Sequence, residues 1–436
     1  MSKMNARLTC VLVMGAAIPA GAAMAQSTTG SLAQAQSQSG DLFARDRVVA
    51  VRDRPRPDYE ALGVPVGTFM AYPRLQADAE YNDNIFAVSN GADGDWIVRL
   101  KPEISLESGW SRHALAAYAR ATISRYQDFD GENSEDYGFG ATGRLDATRG
   151  SNVAAGVDYA RLTEPRTSSN APASTREPIS YDMSSAYLAG TRSSGRVKLS
   201  ARADSRVYDY KDGVTLGGTI VDQDNRDRTV SSLTGRGDYA VSPDTAVFVQ
   251  LTGNSRDYDT ATSALLPARD SEGYEALVGA NFEVGALSRG EIAVGYISQS
   301  FDEAAYDEIS GFGARAQLEW FPTQLTTVTT TASRTIEDAG IAGTGGYLSS
   351  AVGVQVDHEL MRNVLLNANL TLAKDQYEGI DRDDDRLTAS VGATYLLNRV
   401  VGISVAASHF EQSSTGRGGG SDFDVNRLSV SLVAQY

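Results

Sequence analysis

FDVNRLSVSLVAQY, residues 423–436, is the pattern from which the rest of the chain can be interpreted. Apolar and polar side chains alternate along it, because successive side chains of a β-strand point to opposite faces. The apolar set consists of Leu428, Val430, Leu432, Ala434 and Tyr436. No later element can cover this face, so the cover must come from outside the chain. The pattern is typical of a transmembrane β-barrel, in which lipid is that cover.

The end of this strand also predicts how the protein reaches its membrane. We interpret Leu432, Ala434 and the terminal Tyr436 as a C-terminal signal for the barrel-assembly machinery. That machinery is an expected partner, together with outer-membrane lipid and lipopolysaccharide.

The first 25 residues have the features of a secretory signal peptide. Lys3 and Arg7 precede an apolar run over residues 8–20, and Ala-Met-Ala at 23–25 is a cleavage site that predicts a mature start at Gln26. The run is shorter than the roughly 20 residues that a transmembrane helix needs. We therefore expect export, and the cell outer membrane as the final location.

Charge and cysteine content exclude several classes of protein. The formal net charge is -16, and loss of Lys3 and Arg7 with the signal peptide takes it to -18. Such an acidic chain is a poor partner for nucleic acid, which needs clustered basic residues. Cys10 is the only cysteine and lies in the signal peptide, so the mature protein can form neither disulfides nor thiolate metal sites.

From residue 73 to the end, alternating segments are separated by connections that are short and long in turn. The short connections contain Gly, Pro, Ser, Asn or Asp, and the long ones are polar. This alternation of lengths is typical of outer-membrane barrels, which have short periplasmic turns and longer outer loops. The prediction is an all-β fold, a transmembrane antiparallel up-and-down β-barrel of about 18 strands (16–18) over residues 73–436.

Residues 26–72 have a different composition and are predicted to be a disordered or extended periplasmic segment. The part over 26–40 is rich in Gln, Ser, Gly and Ala without periodicity. Arginine and proline then alternate over 54–57, which favours an unpaired, extended backbone. Two arrangements remain open: a periplasmic tail, which we expect, or a segment that enters the barrel mouth.

The polar faces of the predicted strands point into a wide lumen, since about 18 strands enclose more space than side chains fill. The predicted lumen-lining charges are Arg99, Arg120, Arg144, Arg202, Arg236, Arg315, Asp146, Asp204, Asp238 and Glu319. Because both signs occur, the charges can form cross-strand ladders that neutralise one another, or a constriction that selects solutes. The sequence leaves both readings open.

No catalytic or metal site is predicted. The three histidines, His113, His358 and His409, have no suitable neighbours except Ser408, whose side chain points to the opposite face from His409. Acidic clusters over 381–385 and at Asp222, Asp224 and Asp227 lack the spacing of a calcium loop, and we interpret them as solvated loops. The chain is expected not to be an enzyme and to need no cofactor.

The most distinctive string is RDRPRPDYEALGVPVGTFMAYPRLQADAEYNDNIF, residues 52–86. It resembles the start of the barrel in the second putative β-barrel porin family of proteobacterial outer-membrane proteins. The resemblance lies in the Arg/Pro run, Gly67 to Phe69, Tyr72-Pro73 and the acidic, Asn-containing motif over 81–86. It implies an outer-membrane barrel and an association with export of surface polysaccharide.

The predicted function is therefore a porin-like conduit for a hydrophilic solute or an exopolysaccharide. The alternative is a non-conducting barrel that acts as a surface anchor, an adhesin or an accessory protein of polysaccharide export.

Overall fold

The computed structural model describes residues 49–172, 175–259, 267–341 and 343–436, so the predicted signal peptide and residues 26–48 lie outside the described residues. Almost all of the regular structure is β-strand. The strands are β1 (Val64–Val66), β2 (Phe69–Asn82), β3 (Asp95–Ser108), β4 (Ala114–Tyr126), β5 (Ser134–Thr148), β6 (Ser151–Thr163), β7 (Ser180–Ser194), β8 (Val197–Tyr210), β9 (Gly213–Val214), β10 (Ile220–Val221), β11 (Arg228–Ser242), β12 (Thr245–Tyr258), β13 (Ser271–Val284), β14 (Ser288–Phe301), β15 (Ile309–Thr323), β16 (Thr326–Asp338), β17 (Gly346–Met361), β18 (Val364–Tyr377), β19 (Asp383–Leu396), β20 (Val401–Thr415) and β21 (Phe423–Gln435). Among the described residues, no helix is long and apolar enough to cross a bilayer.

The long strands form one closed antiparallel barrel. The main sheet has 19 strands, of which one is the short β1, so that 18 long strands make up the wall. The ring closes where β21 pairs with β2, with Ala434 opposite Leu75. β9 and β10 form a separate small hairpin in the connection between β8 and β11. The predicted fold class and strand number are confirmed.

Short turns and long loops alternate around the ring, as predicted. Two-residue turns join β5 to β6 and β7 to β8, whereas residues 164–179 and 211–227 form long connections at the other end. The short turns use glycine where the backbone is left-handed, as at Gly195 (φ 59°) and Gly285 (φ 58°). In outer-membrane barrels the short-turn end faces the periplasm, and both ends of the barrel sequence lie there.

The outward face of the wall is apolar. In the last strand Leu428, Val430 and Leu432 remain about half exposed, at 53%, 49% and 51% of their surface. Isolated soluble proteins rarely leave so continuous an apolar band in water. Lipid is the medium that covers a band of this kind.

The barrel starts four residues earlier than the predicted boundary at 73. β2 begins at Phe69, and β1 pairs with its first residues, with Val66 opposite Phe69. The preceding residues 49–63 lie against the short-turn end of the barrel.

One seam of the wall is incomplete at the long-loop end. β15 and β16 pair only as far as Ala314 opposite Arg334, while β15 continues upward beside β14 to Ile309. Above this fork, Ile336 packs with Leu348 against Ile309. The upper part of the β16–β17 hairpin therefore leans into the lumen instead of continuing the wall.

Candidate functional site

The candidate site is the barrel lumen with its two mouths. The charged side chains predicted to line the lumen occupy positions of the opposite parity to the exposed apolar residues of their strands, and their role in the lumen stays a prediction. These residues are Arg99, Arg120, Arg144, Arg202, Arg236, Arg315, Asp146, Asp204, Asp238 and Glu319. Strand parity was the signal that located them, because one-in, one-out alternation needs no tertiary information.

Most of these charges are paired with a neighbour. The ion pairs are Arg99–Glu80 at 3.0 Å, Arg144–Asp146 at 3.1 Å, Arg202–Asp204 at 2.7 Å, Arg315–Glu275 at 3.7 Å and Arg289–Glu319 at 2.5 Å. Arg120 is exposed and has no ion pair among the described residues. The inner face is therefore a largely neutralised lattice, which water solvates without one sign of charge dominating.

One side of the lumen is packed around Arg236. Its guanidinium binds Asp238 at 2.8 Å and reaches past two strands to Glu291 at 2.7 Å. It also lies 3.6 Å above the centre of the Phe248 ring, which belongs to a buried cluster with Leu277. The sequence prediction missed these inward-facing apolar residues, although Phe248, between Val247 and Val249, interrupts the alternation of its strand.

The adjoining part of the lumen wall, over β4 to β8, is lined by tyrosine rings that lie flat on glycines. A Cβ at Gly156 would fall 2.4 Å from the Tyr187 ring, and one at Gly140 would fall 2.9 Å from the Tyr118 ring. Arg202 lies 3.9 Å above the Tyr187 ring. Glycine at the neighbouring inward positions was the signal that could have located these aromatic surfaces in the sequence.

The long-loop mouth is crossed by the connection between β6 and β7, described over residues 164–172 and 175–179, which we call the crossing loop. Its base is held by two buried ion pairs with other loops. Glu164 accepts two hydrogen bonds from Arg226, at 2.7 and 3.0 Å, and Arg166 donates to Glu132 at 2.6 and 3.1 Å. Although burial lowers the pKa of Arg226, Glu164 beside it raises that pKa above its usual value, so this pair stays charged.

The tip of the crossing loop reaches the far side of the ring. The backbone N–H of Gly340, between β16 and β17, donates to Asn170 Oδ1 at 2.8 Å. Ser169 contacts Gln412 on β20 at 3.4 Å. Because the loop starts between β6 and β7, these contacts show that it spans the mouth.

The crossing loop meets the inward-leaning top of β16 and β17, which we call the inner hairpin (residues 336–341 and 343–347). Asp338 binds Arg228 at 3.0 Å and Arg256 at 2.5 Å, on β11 and β12 across the lumen. Arg269 also donates to the carbonyl oxygen of Ala339. Two segments from opposite sides therefore meet at Asn170 and Gly340, and they narrow the long-loop mouth.

The short-turn mouth is bordered by residues 49–60, which we call the N-terminal strap. Glu359 on β17 accepts the guanidinium groups of Arg54 and Arg56 at 3.0 and 3.1 Å, and Arg362 lies 3.6 Å away. Arg52 pairs with Asp357 at 2.9 Å. The Arg/Pro run is therefore bound inside the mouth, which is the second of the two predicted arrangements and not the expected periplasmic tail.

The strap then follows the rim instead of crossing it. The carbonyl oxygens of Pro55, Pro57 and Tyr59 accept hydrogen bonds from Arg362, Arg399 and Gln435 in turn. Proline removes a backbone donor, so a segment of this composition is held by its carbonyls and its arginine side chains.

The three histidines and the acidic clusters noted in the sequence have ordinary structural surroundings. His113 Nδ1 accepts the backbone N–H of Asp146 at 3.1 Å, while His358 contacts Thr326 and His409 contacts Asn426. Arg382, in the 378–382 loop, pairs with Asp384 at 2.6 Å. The exposed carboxylates of Asp212, Asp222 and Asp224 lie within 4.8 Å of one another, and Asp222 raises the pKa of Asp224.

The predicted assembly signal lies on the outward face at the end of β21. Leu432 and Tyr436 are about half exposed, and the backbone N–H of Tyr436 donates to Pro73 at 3.1 Å. Its recognition by the assembly machinery stays a prediction.

Comparison with known proteins identifies the family through its sequence model. A sequence model of the family described as "Putative beta-barrel porin 2" matches residues 56–436. No curated protein matches the chain. Among solved structures, the chain is similar to OccK2 (OpdF) of Pseudomonas aeruginosa, with 9% identity, a TM-score of 0.46, and coverage of 84% of this chain and 98% of that one.

Two further similar structures are OpdK of Pseudomonas aeruginosa, solved with vanillate, and the siderophore receptor PiuA of Acinetobacter baumannii. The first has 12% identity and a TM-score of 0.44, with 84% of this chain and 99% of that one covered. The second has 11% identity and a TM-score of 0.45, with 86% and 82% covered.

Proposed function

Since the chain belongs to the putative beta-barrel porin 2 family of outer-membrane β-barrels, we propose that it conducts small hydrophilic solutes across the outer membrane. The observation that carries this proposal is the contrast between the two faces of one closed wall. The inward face is polar with paired charges, and the outward face is apolar. A barrel of this size encloses more space than its own side chains fill.

Passage is limited at the long-loop mouth. The crossing loop and the inner hairpin come from opposite sides of the ring and meet through Asn170 and Gly340. A solute must pass beside this contact, so its cross-section, more than its charge, decides whether it enters. The paired charges below it favour water-soluble molecules of either sign.

Passage of a polysaccharide is the second candidate. The rings of Tyr118 and Tyr187 lie flat on the lumen wall, and such faces stack on sugar rings. A polymer would need the crossing loop to move aside, since its chain must occupy both mouths at once. A non-conducting anchor or adhesin is the third reading, in which the outer loops alone have a function.

Reconstitution in a planar bilayer tests these functions. Stepwise conductance, with entry of small sugars and exclusion of long oligosaccharides in liposome swelling, is expected for a solute conduit. Block by malto-oligosaccharides that weakens in Tyr187→Ala would support the polysaccharide conduit. Absence of conductance from folded, heat-modifiable protein would contradict both conduits and favour the anchor.

A further inference from the structure

A row of polar side chains crosses the outward, lipid-covered face of β16, β17 and β18. Arg334 lies directly opposite Ser350, and Ser350 lies directly opposite Lys374. These positions have the same parity as Val352 and Leu372, which are each 51% exposed on the apolar face. The row is four residues below the ends of β16 and β17, or about 10 Å down at the usual rise and tilt. It lies at the long-loop edge of the apolar band, where the outward neighbour of Lys374 on β19 is Asp385.

Arg334 has no ion pair among the described residues. Its Nε atom is inaccessible to solvent and has no hydrogen-bond partner in the described part of the chain. A cation on the lipid face of a barrel is unfavourable unless a counter-charge reaches it, so an ionisable residue here indicates a binding site. Lys374 is 45% exposed, and its ammonium group lies 3.3 and 3.9 Å from the carboxylates of Asp383 and Asp385, which hold it beside the row.

The fork in the wall gives this row space on one side. Arg334 is the last residue of β16 that pairs with β15. Above it, Ile336 and Leu348 turn inward and pack against Ile309 and Ile297. The outward surface therefore recedes directly above the row, and a bulky group can approach the guanidinium from the long-loop side.

We propose that Arg334, Ser350 and Lys374 bind the phosphate of an outer-leaflet lipid headgroup. A guanidinium forms paired hydrogen bonds with phosphate, a hydroxyl adds one donor, and an ammonium adds a point charge. The apolar neighbours Val352 and Leu372 contact the acyl chains below the headgroup. A lipid headgroup fits this place better than a soluble partner, because the row lies below the strand ends at the edge of the apolar band.

The test is lipid binding by the purified full-length protein in detergent, measured by native mass spectrometry. The probes are bisphosphorylated lipid A, its monophosphorylated form and phosphatidylglycerol. Arg334→Gln and Lys374→Gln are each expected to weaken lipid retention about fivefold, and the double variant about 30-fold, from roughly 1 kcal/mol per basic residue near a lipid surface. The control is Arg192→Gln, an outward-facing arginine at the short-turn end of β7, which is expected to have no effect.

The outcomes distinguish lipid A phosphate from other lipid phosphates, and some of them would overturn the proposed site. Loss of lipid A binding alone identifies lipid A phosphate as the ligand, and parallel loss of phosphatidylglycerol identifies any lipid phosphate; both support the site. Equal retention by the wild type and the double variant would overturn it. So would unchanged lipid retention with an altered oligomeric mass, since the row would then contact protein. Heat-modifiability of each variant shows that it is folded.

Discussion

The two mouths of the barrel are both lined by chain segments, but the segments are attached in different ways. At the long-loop mouth, the crossing loop joins residues on opposite sides of the ring, from Glu164 near β6 to Gly340 beyond β16. At the short-turn mouth, the N-terminal strap is attached to neighbouring strands and turns, with Glu359 as its main anchor. A segment that spans an opening limits what passes, whereas one that follows the rim leaves the opening beside it free.

From this difference we expect the long-loop mouth to limit the proposed conductance and the strap to stabilise the wall. Breaking the buried attachment of either segment is expected to release it, because removal of one partner leaves a buried charge without compensation. Release of the crossing loop is expected to change the current, whereas release of the N-terminal strap is not.

The largest effect is expected from shortening the crossing loop. Replacing residues 166–177 with a short Gly-Ser turn removes the segment that spans the mouth, and the single-channel conductance should rise several-fold. The control shortens the exposed loop at 417–420, which is not part of the contact between the crossing loop and the inner hairpin. Equal conductance of the two deletions would show that the crossing loop does not limit passage.

The second effect is expected at the strap. Glu359→Gln removes the carboxylate shared by Arg54, Arg56 and Arg362, so the strap should detach. Trypsin then cuts after Arg52 at least about tenfold faster, since a buried ion pair is worth about 3 kcal/mol or more when one partner is lost. The conductance should stay near that of the wild type.

The matched control for the strap is Glu103→Gln. Glu103 is 41% exposed and lies 3.5 Å from Arg74, so its pair is weak. Faster proteolysis in both variants would indicate general loosening of the barrel. A large rise in conductance in Glu359→Gln alone would remove the distinction between the two mouths.

A smaller effect is expected at the contact between the crossing loop and the inner hairpin. A Cβ at residue 340 would lie 2.8 Å from the Cβ of Asn170, so Gly340→Val should force the two segments apart and raise the conductance up to about twofold. Gly217→Val is the control, because a Cβ there meets only the Thr215 hydroxyl at 3.8 Å. Unchanged conductance in Gly340→Val would place the constriction elsewhere.

The smallest effect is expected from Arg120 in the middle of the lumen. Its guanidinium lies 5.3 Å from the Tyr118 ring and has no ion pair among the described residues. Arg120→Gln should lower the anion-to-cation permeability ratio by less than about twofold at 0.1 M salt, because screening limits one exposed charge. Reversal potentials in a salt gradient measure this ratio. A complete change of selectivity would show that the lumen, and not its mouth, controls passage.

Local chemistry determines what could be predicted here from the sequence. Alternation places Arg99 and Asp204 inward and Leu428 outward, and Gly195 marks a short turn, because each depends on a strand's own period or backbone. The direction of the crossing loop depends on contacts such as Asn170 with Gly340, which are 170 residues apart. Nothing in a single sequence specifies that contact.

The strap and the fork were unpredictable for related reasons. The Arg/Pro run fits a solvated tail as well as a bound strap, and only Glu359, more than 300 residues later, decides between them. β16 has the same alternation on both sides of Arg334, so the inward lean of its upper part leaves no mark in the pattern. Ile336 faces apolar surroundings whether the upper part of β16 continues the wall or leans into the lumen.

Single-channel recording of an Asn170→Cys/Gly340→Cys variant tests the claim that the crossing loop spans the long-loop mouth and limits conductance. The sequence has only Cys10, in the predicted signal peptide, so the introduced pair would be alone in the mature protein. The two Cβ positions need to separate by only about 1 Å to reach disulfide geometry. The disulfide is expected to form in the folded barrel, and the oxidised channel is expected to conduct at the wild-type level. Thiols that stay free under oxidising conditions, or an oxidised conductance equal to that of the loop deletion, would contradict that claim.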